Sequence, residues 1–185
     1  LTREEAHDTA ILMKSRVAKK RTVAATRVET AQAVLPGHTN GMGTLFGGIV
    51  MQWIDVAAAI AAARHASGPV VTASMDRLHF LRPARVEEFV IVRAEVSYAA
   101  HTSMEVEVEV LTENPWTSER AITTHAFLTF VAIDEQGRPR PVPALVTETA
   151  AQRRRFREAA KRRAERLRDR AQLARRPAHP RGRDG

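Results

Sequence analysis

Gly47 and Gly48 lead straight into a run, Ile49 to Ala63, in which only Gln52 and Asp55 are polar. An ionised carboxylate in such surroundings costs several kcal/mol unless it is paired or hydrogen-bonded. Asp55 is therefore either tied to a donor to fix packing or held ready for chemistry. A carboxylate held for chemistry can act as general base on a water or as a nucleophile on an acyl carbon. For a buried aspartate taken alone the packing role is the commoner one.

Two neighbours tilt the balance. The approach Gly43-Thr44-Leu45-Phe46-Gly47-Gly48 enters a helix whose first turn has N–H groups without partners and a partial positive charge. Glycines there let another molecule come close to the backbone. Such donors suit a carbonyl oxygen that becomes negative during attack, with Gly48, assisted by Ile49, as the oxyanion donor. A tight loop-to-helix turn would use the same Gly-Gly pair. Asn40 can orient a water or hold an ester without titrating, although Asn40-Gly41 also reads as an ordinary left-handed turn.

Distance constrains these groups further. Gly48 and Asp55 lie roughly 10 Å apart along a helix that rises 1.5 Å per residue. An attacking water and its target oxygen must be much closer than that. Two such helices packed antiparallel would set Asp55 of one against Gly48 of the other, making a dimer a requirement of the chemistry.

The elements that must position these residues follow from periodicity. Residues 2–20 read as a helix opened by Thr2 and Glu5, and residues 22–34, rich in Thr and Val, as a first strand. A loop from Pro36 to Gly48 with five glycines precedes the apolar helix Ile49–His65, which Gly68-Pro69 ends. From Val70 the period is two, giving strands over Val70–Phe80, Phe89–Ser97, Met104–Val110 and Ala121–Ile133. Met104, Val106, Val108 and Val110 alternate with Glu105, Glu107 and Glu109, as expected of an antiparallel sheet dry on one face only. One helix on one dry face is an α+β domain. Because the helix is apolar nearly all round, a single sheet covers only part of it, and a second subunit is expected on the rest. This is the hotdog arrangement, an antiparallel sheet wrapped around a long central helix, with a basic helix appended.

The whole chain of 185 residues accommodates one such core with appendages. The domain is expected over 21–137, after an N-terminal helical segment 1–20. A proline-rich connector 138–146, a basic helix 147–176 and a disordered tail 177–185 follow. Cysteine is absent, which closes off thiol nucleophiles and cysteine-metal sites and is compatible with a cytoplasmic protein. Leu1–Lys20 lacks the apolar core of a secretory signal, and Ile49–Ala63 is too short and polar to cross a membrane. The net charge is +8, yet residues 151–185 alone carry 14 Lys and Arg against 4 Asp and Glu, leaving −2 for residues 1–150. The basicity belongs to the tail and does not bear on the core's chemistry. The basic helix is expected to pack on a neighbouring subunit, ahead of a contribution to phosphate binding. Nucleic-acid binding comes last, since no aromatic interleaving or reading motif accompanies the charge.

The run from Leu35 through Asn40, Gly47 and Gly48 to Asp55 resembles the signature of hotdog acyl-CoA thioesterases of the cytosolic acyl-CoA hydrolase (BACH/YciA-like) family. The resemblance continues through Asp76–Pro83, His101-Thr102-Ser103 and Phe130–Asp134, covering about residues 20–150. It implies hydrolysis of fatty acyl-CoA with Asp55 and Asn40 as a catalytic pair from opposite subunits. It also implies dimers gathered into a hexamer, a trimer of dimers, with coenzyme A as part of the substrate and no separate cofactor. Val86-Glu87-Glu88 departs from the family's glycine-aspartate turn. Gly47 and Ile49, with Arg77, Arg82, Thr102 and Ser103 bordering the helix in the family, are the expected substrate contacts. CoA phosphates call for arginines, although Arg77 and Arg82 read equally as solvated strand-end charges. No histidine cluster suggests a metal. The competing functions are a hotdog enoyl-CoA hydratase or dehydratase, which wants a histidine beside the aspartate where only His65 is at hand, and a non-catalytic acyl-CoA sensor, which has no use for Asp55.

Overall fold

The computed structural model describes residues 20–174, so the expected N-terminal helical segment and the expected disordered tail lie outside the described residues. A five-stranded antiparallel sheet is ordered β2 (Val28–Ala33), β4 (Phe89–Ala99), β5 (Ser103–Glu113), β6 (Arg120–Ala132) and β3 (Val70–Phe80). Helix α1 (Gly47–Ala66) lies on one face, against β2 to β6. The remaining elements are a short parallel pair, β1 (Arg21–Thr22) with β7 (Leu145–Val146), and helix α2 (Ala150–Ala174). The first strand is interrupted: Ala24–Thr26 forms a 3-10 turn, and the Thr26 hydroxyl donates to the Val23 carbonyl.

Small side chains let α1 lie close to the sheet. Ala57, Ala58, Ala61 and Ala62 are completely buried beside Ile54, facing Val92, Val96, Val106, Val108, Leu128 and Phe130. The sheet covers one side of the helix only. Met51, Val56 and Ile60 stay exposed, at 39%, 52% and 38%, so in a single chain α1 is not buried all round.

The expectation of a one-sided sheet is corrected. Helix α2 covers the outer face of its own chain's sheet, packing on β4, rather than being placed on a neighbour. Arginine supplies what alternation alone could not show. Glu105, 1% exposed, accepts from Arg162 Nη2 and from Arg166 Nη1, each at 2.7 Å. Arg155 reaches Glu95 at 2.7 Å, and Phe156 packs on Tyr98 with ring centroids 4.7 Å apart. The face that alternation marks as wet is dry at Glu105 and half-covered at Glu107 and Glu109, and the charge of Glu105 is neutralised from the tail.

At the departure Val86-Glu87-Glu88 the turn still forms, closed by Glu88 N–H to the Arg85 carbonyl at 3.2 Å. Glu87 sits at φ 76°, a left-handed conformation that costs a residue with a Cβ about 1–2 kcal/mol. Glu87→Gly should therefore raise unfolding stability by about 1 kcal/mol, measured by denaturant titration; no gain would mean the turn carries no strain.

His65 is fully buried at the end of α1, its Nε2 2.8 Å from the Pro143 carbonyl and its Nδ1 without a partner among the described residues. Burial holds its pKa below the ordinary histidine value, against the hydrogen bond to Pro143 and helped by the charge of Arg21. The unfolded chain therefore binds the extra proton more readily, and stability falls as pH drops from above about 6.5 toward the folded value. His65→Gln, which keeps a donor for Pro143, should flatten the fall in melting temperature over that window. An unaltered slope would assign the fall to other groups.

Candidate active site

Helix α1 begins where the loop 36–46 delivers it. Phe46 N–H donates to the His38 carbonyl at 2.9 Å and Leu45 N–H to Ala84 at 2.8 Å. These bonds fix the entry of the chain, and the Phe46 carbonyl then accepts from Ile49 and Val50 at 3.0 and 3.2 Å. Ile49 is thus not an oxyanion donor, because its N–H is spent on its own turn. The N–H groups of Gly47 and Gly48 have no partner among the described residues. A Cβ at Gly47 would stand 3.3 Å from the Phe80 ring, and one at Gly48 would run into the Phe46 ring. The glycines therefore keep rings close over the first turn as well as leaving its donors open.

Asp55 is half-buried, less enclosed in one chain than its apolar neighbours suggest. Its Oδ1 accepts from the Thr72 hydroxyl of β3 at 2.8 Å, and Oδ2 has no hydrogen-bond partner among the described residues. Thr72 is the residue that sequence reasoning missed. Its only signal is its place near the start of the strand that returns alongside α1. Gly48 and Asp55 differ by 7 residues, which at about 100° each is some 20° short of two full turns. They share one side of α1, the flank that meets the edge strand β3, where Thr72 and Phe80 lie.

Asn40 spends most of its side chain on its own loop. Oδ1 accepts from Met42 and Thr44 N–H at 2.9 and 3.3 Å, and Nδ2 donates to Thr44 Oγ1 at 3.0 Å. That is the only bond from Nδ2 among the described residues, so its second hydrogen is open. No hydrogen bond joins Asn40 to Asp55.

A cavity of about 310 Å³ opens beside Gly47, lined by Leu45, Val50, Phe80, Val90 and Val110 with Arg82 at its wall. Arg82 is exposed and has no carboxylate partner among the described residues. Arg77, by contrast, is paired with Glu165 of α2 at 2.8 Å and belongs to the outer face of the sheet. Thr102 lies in the β4–β5 turn and Ser103 opens β5, its carbonyl accepting from Ala100 N–H at 2.8 Å. Ser103 is seven residues from Val110 along β5, roughly 24 Å at 3.4 Å per residue. One chain does not bring that turn to the cavity at Gly47. His65 is committed to Pro143, so it is no partner for Asp55 in a hydratase. No group of metal-ligating side chains occurs among the described residues.

An antiparallel sheet holding one apolar helix, with a carboxylate on the helix and free N–H groups at its start, defines a hotdog thioesterase. The thioesterase superfamily model matches residues 42–117. An uncharacterized acyl-CoA thioester hydrolase of Bacillus subtilis (strain 168) is 45% identical over 123 residues, 66% of this chain and 72% of that protein. The mouse (Mus musculus) cytosolic acyl coenzyme A thioester hydrolase is 33% identical over 141 residues, 74% of this chain but 36% of its own length. The chain thus spans most of its bacterial relative and about a third of the mammalian one. Among solved structures, an acyl-CoA hydrolase from Bacillus cereus superposes with a TM-score of 0.80 at 35% identity, over 84% of this chain and 95% of that one. A hexameric acyl-CoA thioesterase gives 0.78 at 41%, over 83% and 97%. An acyl-CoA hydrolase of Staphylococcus aureus, solved with butyryl coenzyme A and coenzyme A, gives 0.76 at 31%, over 84% and 98%. The same enzyme has been solved with alanine replacing an aspartate, a threonine or an asparagine. The chain belongs to the acyl-CoA thioester hydrolase family of hotdog enzymes.

Proposed function

We propose that this chain hydrolyses acyl-CoA to the free acid and CoA at sites completed by a second copy of itself. One observation carries the reading: an aspartate with a free oxygen and a glycine turn with free N–H groups share one side of one helix, beside the sheet's edge strand, too far apart to serve each other. Turning a second α1 antiparallel to the first sets each Asp55 against the other copy's Gly48. The exposed Met51, Val56 and Ile60 then find apolar cover. Strand β3, at the sheet's edge, offers unpaired backbone groups to the same neighbour.

In this arrangement the thioester carbonyl lies against the N–H groups of Gly47 and Gly48, which stabilise its oxygen as it becomes negative. The Thr72 hydroxyl fixes Asp55 through Oδ1 and leaves Oδ2 for the reaction. Asp55 either takes a proton from the attacking water or attacks the acyl carbon itself, and water then cleaves the anhydride. In both routes the C–S bond breaks, oxygen from water enters the acid, and a proton reaches the departing CoA sulfur. The open hydrogen on Asn40 Nδ2 orients water or the thioester. Arg82 meets CoA phosphate, and Thr102 and Ser103 serve the site of a neighbouring copy.

The Staphylococcus aureus variants support these assignments. Their asparagine and aspartate are fifteen residues apart and their threonine lies seventeen further on. Asn40, Asp55 and Thr72 have the same spacing. Hexameric relatives support an assembly of three such dimers. The relatives named cytosolic support a cytoplasmic location, and no helix among the described residues is long and apolar enough to cross a membrane.

Thiol release from butyryl-CoA and longer esters tests the reading. Asp55→Ala and Asn40→Ala should stay folded and oligomeric yet lose most turnover. Thr72→Val should lower kcat on the order of tenfold or more, as removing a group that orients a catalytic residue does. Full activity in Asp55→Ala would end the assignment. Co-refolded Asp55→Ala and Asn40→Ala chains should regain activity, because mixed dimers hold one intact site; none despite proven mixing would place both residues in one subunit's site.

A further inference from the structure

We infer that α2 holds the wall of the active site from behind: Arg166, acting through Asp76, is a positioning residue. It fixes the bulge in β3 that sets Phe80 and Arg82 beside the glycine turn. The catalytic consequence rests on the thioesterase reading above, whereas the mechanical part does not.

Pairing between β3 and β6 slips between Asp76 and His79, and Arg77 within the slip sits at φ 50°. A bulge bends its strand and re-aims the residues that follow. Those are Phe80, Leu81 and Arg82, which line the cavity, with Phe80 also against Gly47. A left-handed residue that is not glycine persists only where its surroundings dictate it, so something must hold this bulge. Within β3 itself the Ser74 hydroxyl donates to Asp76 Oδ2 at 3.2 Å. On the outer face, Arg166 Nη1 lies 3.3 Å from Asp76 Oδ2 while donating to Glu105 Oε2 at 2.7 Å.

Glu105 is the fixed point. It also accepts from Arg162 Nη2 at 2.7 Å and from the Ser97 hydroxyl at 3.0 Å, and Arg162 stacks over Phe127 at 3.7 Å. Register places Asp76, Phe127 and Glu107 in one row across β3, β6 and β5, so the arginines span from the sheet's centre to its edge. The second tie, Arg77 to Glu165, has both side chains more than half exposed and contributes little. Helix α2 keeps independent anchors in Arg155, Phe156 and the fully buried Ala159. Loss of Arg166 alone therefore releases the bulge without undocking the helix.

The test compares the full chain with Arg166→Met, Arg166→Lys and Asp76→Asn by amide hydrogen exchange and by steady-state turnover of butyryl-CoA. Arg166→Met and Asp76→Asn should speed exchange over residues 76–82 and leave β4 unchanged. KM should rise several-fold with kcat altered less than about twofold, the pattern of lost ground-state binding. Arg166→Lys, which keeps the charge, should recover most of both effects. Unaltered exchange at 76–82, or an equal rise in β4, would overturn the inference, as would a local rise with KM unchanged in an active enzyme. An unmutated chain that turns over no acyl-CoA would sink the thioesterase reading instead, and the exchange comparison would still decide whether α2 holds the bulge.

Discussion

A rigid helix carries both halves of the proposed chemistry and cannot fold back on itself to join them. The open N–H groups of Gly47 and Gly48 lie at its first turn, and Asp55 lies almost two turns further on, along the same side. Every other feature of the site follows from that separation. The side that carries both runs along the edge strand β3, whose Thr72 holds Asp55 and whose Phe80 lies against Gly47. In the proposed dimer, a second copy turned antiparallel would supply each missing half and cover the exposed Met51, Val56 and Ile60 in the same step.

The second governing interaction is electrostatic and lies on the opposite face of the sheet. Burying Glu105 alone would be strongly unfavourable, and the two arginines of α2 that meet it make the third layer possible. The division of charge along the chain, −2 before residue 151 and +10 after it, is thus partly an internal matching of tail to sheet. The two layers meet at β3. Its inner side presents Thr72 to Asp55, and its outer side presents Asp76 to Arg166.

The elements were largely legible because their periodicities are clean. The alternation from Met104 to Val110 predicts β5, and the uninterrupted alanine-rich run predicts α1 to within two residues at each end. Asp55 and the glycine turn were legible as a carboxylate and donors out of place in an apolar segment. Three things were not. Thr72 is one threonine in a strand of ordinary composition, and only the pairing of β3 against α1 gives it a role. The fate of Ile49 N–H depends on how tightly the first turn winds. The covering of Glu105 depends on contacts 57 and 61 residues away, which local patterning cannot carry. The same limit applies to Arg77, whose partner Glu165 is 88 residues distant.

A helix apolar on all sides gives no amphipathic signal of which side meets its own sheet, yet side-chain size carries it. The sheet-facing side is dominated by alanine, with Ala57, Ala58, Ala61 and Ala62 at zero exposure, whereas Met51, Val56 and Ile60 point away. Close approach to a continuous sheet favours small side chains, since extra volume there forces strain. Contact with a second helix favours larger ones that interdigitate across 8–10 Å. Asp55 lies with Gly48 at the border between the two sides, roughly 20° from the buried Ala62 and roughly 100° from the exposed Val56. A carboxylate there is half-buried in the single chain and, in the proposed dimer, would become enclosed when the partner helix arrives. In that dimer its desolvation, and with it the strength of every dipole aimed at the reacting oxygen, would come from assembly rather than from folding of the monomer.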